Sequence, residues 1–104
     1  MTTELSDALH ATNELSARLQ PAPNLQWKKF KSSIVIEPGL VLNDSAAFAF
    51  GLLDGQTDLQ RVCELLAAEY RISVSDVVDD VLELSRELLK HKIVIRQLEA
   101  ERHN

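Results

Sequence analysis

The stretch Leu40-Val41-Leu42-Asn43-Asp44-Ser45-Ala46-Ala47-Phe48-Ala49-Phe50-Gly51-Leu52-Leu53-Asp54-Gly55 decides the fold. An apolar triplet runs straight into a helix that Asn43 can cap, and the helix is expected to continue through Leu53 with Gly55 closing it in the left-handed conformation. Ala46, Ala49, Phe50 and Leu53 form its inner stripe at three- and four-residue spacing. Just upstream, Pro38-Gly39 suits the central pair of a type II turn, because Pro presets the first angle and Gly accepts positive φ in the second. Leu40–Leu42 then returns as a strand beside the β-branched run Ile34–Ile36. Before that, Leu25, Trp27 and Lys29 alternate with Gln26 and Lys28, the period of a strand. The outcome is a three-stranded antiparallel sheet whose last edge has backbone groups in need of a cover or a partner.

Downstream, Thr57 with Gln60 resembles a capping box for a second helix ending near Tyr70, with Leu59, Val62, Leu66 and Tyr70 on its apolar side. Ser73 with Asp76 opens a third helix of about four to five turns, running to about His91. Ile93–Ile95 follows as a short strand or wing. On the third helix Val77, Val81, Leu84 and Leu88 form one apolar row, and Val78, Leu82 and Leu89 widen it along one flank. Asp76, Asp79, Asp80, Glu83 and Glu87 occupy the other side, relieved by Arg86 and Lys90. That acidity argues against a DNA-reading helix, since phosphates would repel it and it offers few donors to base edges.

Ahead of the sheet, Leu5, Ala8, Leu9, Thr12, Leu15 and Leu19 recur on one side of an amphipathic helix expected over residues 4–19. Pro21 and Pro23 end that pattern, so Gln20–Asn24 reads as a linker. The helix has three open readings: a cover over the same molecule's apolar surface, a homodimer contact, or disorder. The organisation is thus residues 1–24, amphipathic helix and Pro-containing linker; 25–96, the folded domain; and 97–104, a polar tail. The fold class is α+β, a winged helix-turn-helix in which the small sheet precedes three helices and a short C-terminal wing.

At 104 residues the chain has room for one modest core. Its net charge of -5 speaks against general attraction to nucleic acid or an anionic membrane surface. No apolar run reaches the length of a membrane span and no signal peptide is visible, so a cytoplasmic location is expected. The single cysteine, Cys63, reads as a small buried hydrophobe. His10, His91 and His103 are far apart, no Cys or His pair has metal-ligand spacing, and neither a nucleophile elbow nor a phosphate loop occurs. Adjacent Asp79 and Asp80 point about 100° apart on a helix and belong to its acidic face. No enzyme activity, metal or cofactor is expected.

Read together, Leu25-Gln26-Trp27, Glu37-Pro38-Gly39, Leu42-Asn43-Asp44-Ser45-Ala46-Ala47, Leu53-Asp54-Gly55, Glu69-Tyr70 and Asp80-Val81, in this order, resemble PqqD-like proteins. These small domains are also called RiPP recognition elements, and the likeness covers roughly Leu25–Ile95. It implies a non-catalytic adaptor that holds the leader of a ribosomally made precursor peptide for a modifying enzyme, often a radical SAM protein. The leader would add as a strand beside Leu40, Val41 and Leu42, with side chains entering a groove beside the third helix. On this reading Val78, Leu82 and Leu89 are pocket walls, and Lys28, Lys29 and Lys31 meet an acidic leader residue. Ordinary core and solvated surface are their respective alternatives. Phe48, placed opposite the inner stripe with Leu52 beside it, is a candidate anchor for the partner enzyme or a seat for the N-terminal helix. Lys92 stands where similar proteins commonly have Gly. A dimerising or protein-interaction helical module is the competing reading, and a DNA-binding regulator the weaker one.

Overall fold

The computed structural model describes residues 14–37 and 39–97. Its elements are strands β1 (Leu19–Pro21), β2 (Trp27–Phe30), β3 (Ser33–Ile36) and β4 (Leu40–Leu42), helices α1 (Asp44–Gly51), α2 (Leu59–Tyr70) and α3 (Val74–Lys90), and strand β5 (Val94–Arg96). The architecture is therefore α+β, with a small antiparallel sheet followed by three helices, as the sequence pattern indicates. The sheet order is β2-β3-β4, which leaves β4 at one edge.

The register follows from the placement of apolar side chains. Ile34 faces Leu42, Val35 faces Val41 and Ile36 faces Leu40 across β3 and β4. Residues directly opposite share a face, so Ile34, Ile36 and Leu42 turn together onto the helices and are buried. Trp27 shares that face, and its indole meets the Phe50 ring edge-on with centroids 5.5 Å apart. Lys31 takes φ 59° in the two-residue β2–β3 loop, and Ser32 Oγ donates to Asp44 Oδ1 at 2.6 Å, tying that loop to the start of α1. Pro38 lies outside the described residues, and the expected turn type with it.

A polar residue precedes each helix, and three points differ from expectation. Asn43 Oδ1 accepts from the Ala46 amide at 3.0 Å and opens α1 as anticipated. This helix stops at Gly51, however, short of Leu53. Gly55 has positive φ (80°) but sits farther on, in a loop where its amide donates to the Leu19 carbonyl at 2.8 Å. The Asp54 carboxylate organises that loop by accepting from the Gln56 and Thr57 amides, which hold its pKa below the ordinary value. Thr57 is thereby drawn away from capping, and Asp58 caps α2 in its place through the Arg61 amide. Tyr70, expected on the buried side of α2, is exposed at the helix end. Ser73 precedes α3 and bonds Asp76 side chain to side chain at 2.8 Å.

The helix expected over residues 4–19 falls mostly outside the described residues, and its end needs correcting. Leu19–Pro21 is a strand that pairs antiparallel with β5, Leu19 against Arg96 and Pro21 against Val94. Several backbone groups along this segment are engaged: the Ala17 carbonyl accepts from the Leu59 amide and that of Arg18 from Gln97, and the Ala22 amide donates to the Ile93 carbonyl. Such bonding overrides the Pro-rich composition that reads as a linker. Leu19 is completely buried. The strand expected over Ile93–Ile95 is displaced by one residue to Val94–Arg96.

The core joins Leu19, Ile34, Ile36, Leu42, Ala49, Phe50, Leu53, Leu59, Val62, Leu66, Val77, Val81, Leu88 and Val94, among others. Cys63 is fully buried within it, and burial pushes its thiol pKa up, as the neighbouring Glu64 also does. No helix among the described residues is long and apolar enough to cross a membrane.

Lys92, between α3 and β5, adopts φ 59°, a conformation that a side chain makes costly. Lys92→Gly is expected to raise the unfolding free energy by up to about 1 kcal/mol, after the larger backbone entropy of Gly in the unfolded chain is subtracted. Urea denaturation of the two proteins checks it, and an unchanged or lower midpoint would show that the left-handed residue carries no strain.

Candidate functional site

The open edge of β4 can be worked out from a single hydrogen bond. The Glu37 amide donates to the Gln26 carbonyl at 2.9 Å, so Glu37 points its backbone groups towards β2. Backbone direction alternates along a strand; Val35 therefore also points to β2, and Ile34 and Ile36 point to β4. Leu42 and Leu40, their partners, spend their amides and carbonyls inside the sheet. Val41 is left with both groups aimed outward, and its side chain, 61% exposed, lies on the outer face of the sheet.

A groove of about 450 Å³ lies beside this edge. One side is formed by Leu40, Leu42, Asn43 and Ser45, the base includes Ala46, Ala49 and Leu66, and α3 supplies Asp80, Val81, Glu83, Leu84, Glu87, Leu88 and His91. Small side chains at Ala46 and Ala49 create the depth, since α1 cannot fill the space between β4 and α3. An apolar floor thus lies beneath a rim of three carboxylates. His91 Nε2 is 3.3 Å from Glu87 Oε2 at one end.

Of the residues singled out in the sequence, Leu40 and Leu42 line this groove and Val41 forms the adjoining edge. Val78, Leu82 and Leu89 do not. They occupy the opposite flank of α3: Leu82 is buried in the core, and Val78 and Leu89 pack against it half-buried. Arg86 lies one turn from Leu82 and Leu89 on that flank and holds Glu14 through two hydrogen bonds of 2.7 and 2.6 Å. Glu14 raises the guanidinium pKa further. This pair, with Leu15 and Ala17 packed on the core, brings the chain entering β1 onto the flank that the sequence leaves available. The width of the apolar arc on α3 therefore serves two surfaces, and the period of a helix does not say which flank stays open.

Lys28 and Lys29 belong to β2, at the far edge of the sheet and roughly 10 Å, two strand spacings, from β4, and Lys31 to the β2–β3 loop. None of the three is among the residues lining the groove. Phe48 is half-buried and meets Tyr70 edge-on at 6.3 Å between ring centroids, and Leu52 is half-buried beside the core. Among the groove residues that sequence reasoning did not assign to a site are Asp80, Glu83, Leu84, Glu87 and His91. Their signal was present, as an apolar Leu84 ringed by carboxylates one turn away on either side, but it read as a core residue on a solvated helix.

No group of three or more His, Cys, Asp and Glu side chains among the described residues could hold a metal ion. Every buried polar side-chain atom in the described part has a hydrogen-bond partner, including Ser85 Oγ, which donates to the Val81 carbonyl. What the arrangement offers is a set of backbone groups and an apolar trough, equipment for holding an extended chain.

The family model described as Coenzyme PQQ synthesis protein D (PqqD) matches residues 35–94, a span that begins in β3, covers the edge, the groove and all three helices, and ends at the start of β5. No curated protein and no solved structure matches the chain significantly.

Because the Val41 amide makes no bond within the sheet, Val41→Pro is expected to cost less than about 1 kcal/mol, as Pro is tolerated on edge strands with the amide side outward. Leu42→Ala, which empties a core position on the same strand, is expected to cost about 2–5 kcal/mol. Chemical denaturation separates the two, and a Val41→Pro loss as large as that of Leu42→Ala would contradict the outward assignment.

Proposed function

We propose that this chain, which belongs to the PqqD family, a family of peptide-binding accessory proteins of coenzyme PQQ and related ribosomal-peptide biosynthesis, binds the leader of a precursor peptide along β4 and presents it to a modifying enzyme. The observation that carries the proposal is the outward backbone of Val41 bordering the groove between β4 and α3. An extended peptide adding at this edge gains main-chain hydrogen bonds with little regard to sequence, and its alternate side chains enter the trough. Leu40 and Leu42 are the near wall and Val81, Leu84 and Leu88 the far wall, replacing the Val78, Leu82 and Leu89 flank that the Glu14 segment adjoins.

The chain contributes no bond-making group in this account. Holding the leader raises the local concentration of the core peptide at the enzyme's active site, and the enzyme, a radical SAM protein in many related systems, performs the covalent step. Phe48, Leu52 and the exposed Tyr70 and Ile72 form the surface assigned to that enzyme. The reaction belongs in the cytoplasm, where precursor peptides are made.

Calorimetric titration with the leader half of a precursor encoded beside this gene tests the reading. Micromolar binding is expected, about 8 kcal/mol, a scale that suits one added strand and two or three filled pockets after the peptide's ordering cost. Val41→Pro should weaken it at least about tenfold by removing one donor and blocking close approach of the added strand. Binding that Val41→Pro leaves intact, in a protein whose helices are unchanged by circular dichroism, would rule out strand addition at this edge.

A further inference from the structure

We infer that the occupant of this groove is a cationic peptide strand, in which an apolar side chain facing the trough is accompanied by Lys or Arg two residues away on the same face. The inference rests on the peptide-binding reading above and names the class of peptide.

Charge complementarity carries it. Asp80, Glu83 and Glu87 line the groove, and neither Lys nor Arg is among the lining residues. The Asp80 carboxylate makes no hydrogen bond or ion pair among the described residues. Glu83 lies near enough to Arg86 to help raise its pKa, yet that guanidinium is committed to Glu14 through both a 2.7 Å and a 2.6 Å bond. Among the described residues the Glu87 carboxylate pairs with His91, itself at the groove end. Lys28 and Lys29 are on β2 at the far edge of the sheet, and Lys31, in the β2–β3 loop, does not line the groove. An acidic peptide would place its carboxylates against this rim, whereas a basic one would find three acceptors around an apolar centre formed by Ala46, Ala49, Val81, Leu84 and Leu88.

The spacing is compatible with an extended chain. Side chains two residues apart on a strand share a face at roughly 6.6 Å. Asp80 lies roughly 4.5 Å along the helix axis from Glu83 and roughly 10.5 Å from Glu87, a range that long cationic side chains can bridge from neighbouring positions on that face. The lysine stem also covers apolar surface while its ammonium reaches the rim, so both kinds of lining are used by one residue type.

The experiment is selection of a phage-displayed random peptide library on the full chain, with Val41→Pro as the parallel target, followed by titration of the strongest synthetic peptide. The expected consensus has an apolar residue with Lys or Arg two positions away. Its Gln-substituted version should bind about tenfold more weakly at low salt, a difference that a cation seated among three carboxylates can supply and that about 1 M salt should erase. Neutralising the rim as Asp80→Asn, Glu83→Gln and Glu87→Gln together should abolish the preference for the Lys- or Arg-bearing peptide over its Gln version. A consensus rich in Asp or Glu, or one without charge preference, overturns this inference and leaves the edge reading standing. Enrichment no stronger than on Val41→Pro overturns the edge reading, and the inference with it.

Discussion

The antiparallel register between β3 and β4 is the constraint on which the rest depends. Pairing Ile34 with Leu42 and Ile36 with Leu40 sends three of these four side chains into the core, with Leu40 at the groove margin. The same pairing leaves the Val41 backbone with no partner in the sheet. A shift of β4 by one residue would bring Val41 onto the face of the isoleucines and turn Leu42 outward, so burial of this apolar set holds the open edge in place. Stability and binding capacity thus arise from one geometric choice. The groove is its second product, because β4 leads directly into α1 and positions Ala46 and Ala49 opposite α3.

Helix α3 shows how one amphipathic element serves two neighbours. Its central row, Val77, Val81 and Leu88, belongs to the core. One flank, Leu82 and Leu89, adjoins the segment entering β1, pinned there by the Glu14–Arg86 pair. An exposed ion pair contributes little on its own, but it acts beside the fully buried Leu19 and the β1–β5 ladder, which anchor the same segment more firmly. The other flank, around Leu84, remains as the wall of the groove. The acidic face that argues against DNA reading is in part this wall's rim.

Much of the fold was legible. The apolar triplet before a capped helix, the Ile34–Ile36 run and the apolar row of α3 located β3, β4, α1 and α3 to within a few residues, because each couples a strong period to a start signal. The resemblance to PqqD-like proteins rested on the same residues, and the chain's membership of that family agrees with it. What was hidden depended on distant partners. β1 has the composition of a linker and becomes a strand only through bonds to Val94–Arg96, Leu59 and Gly55, contacts that no local pattern announces. Asp58 displaces Thr57 as the α2 cap because Asp54 engages Thr57 first. The open flank of α3 was likewise undecidable from the period alone.

The central claim is that a peptide joins the sheet at Val41. Amide hydrogen exchange resolved by residue, with and without a bound leader peptide, tests this most directly. In the free chain the Val41 amide should exchange rapidly while those of Leu40 and Leu42, bonded to β3, are protected. On binding, Val41 should become protected to a similar degree. Rapid exchange at Val41 in a saturated complex would contradict the account, since a peptide held elsewhere would leave that amide in water.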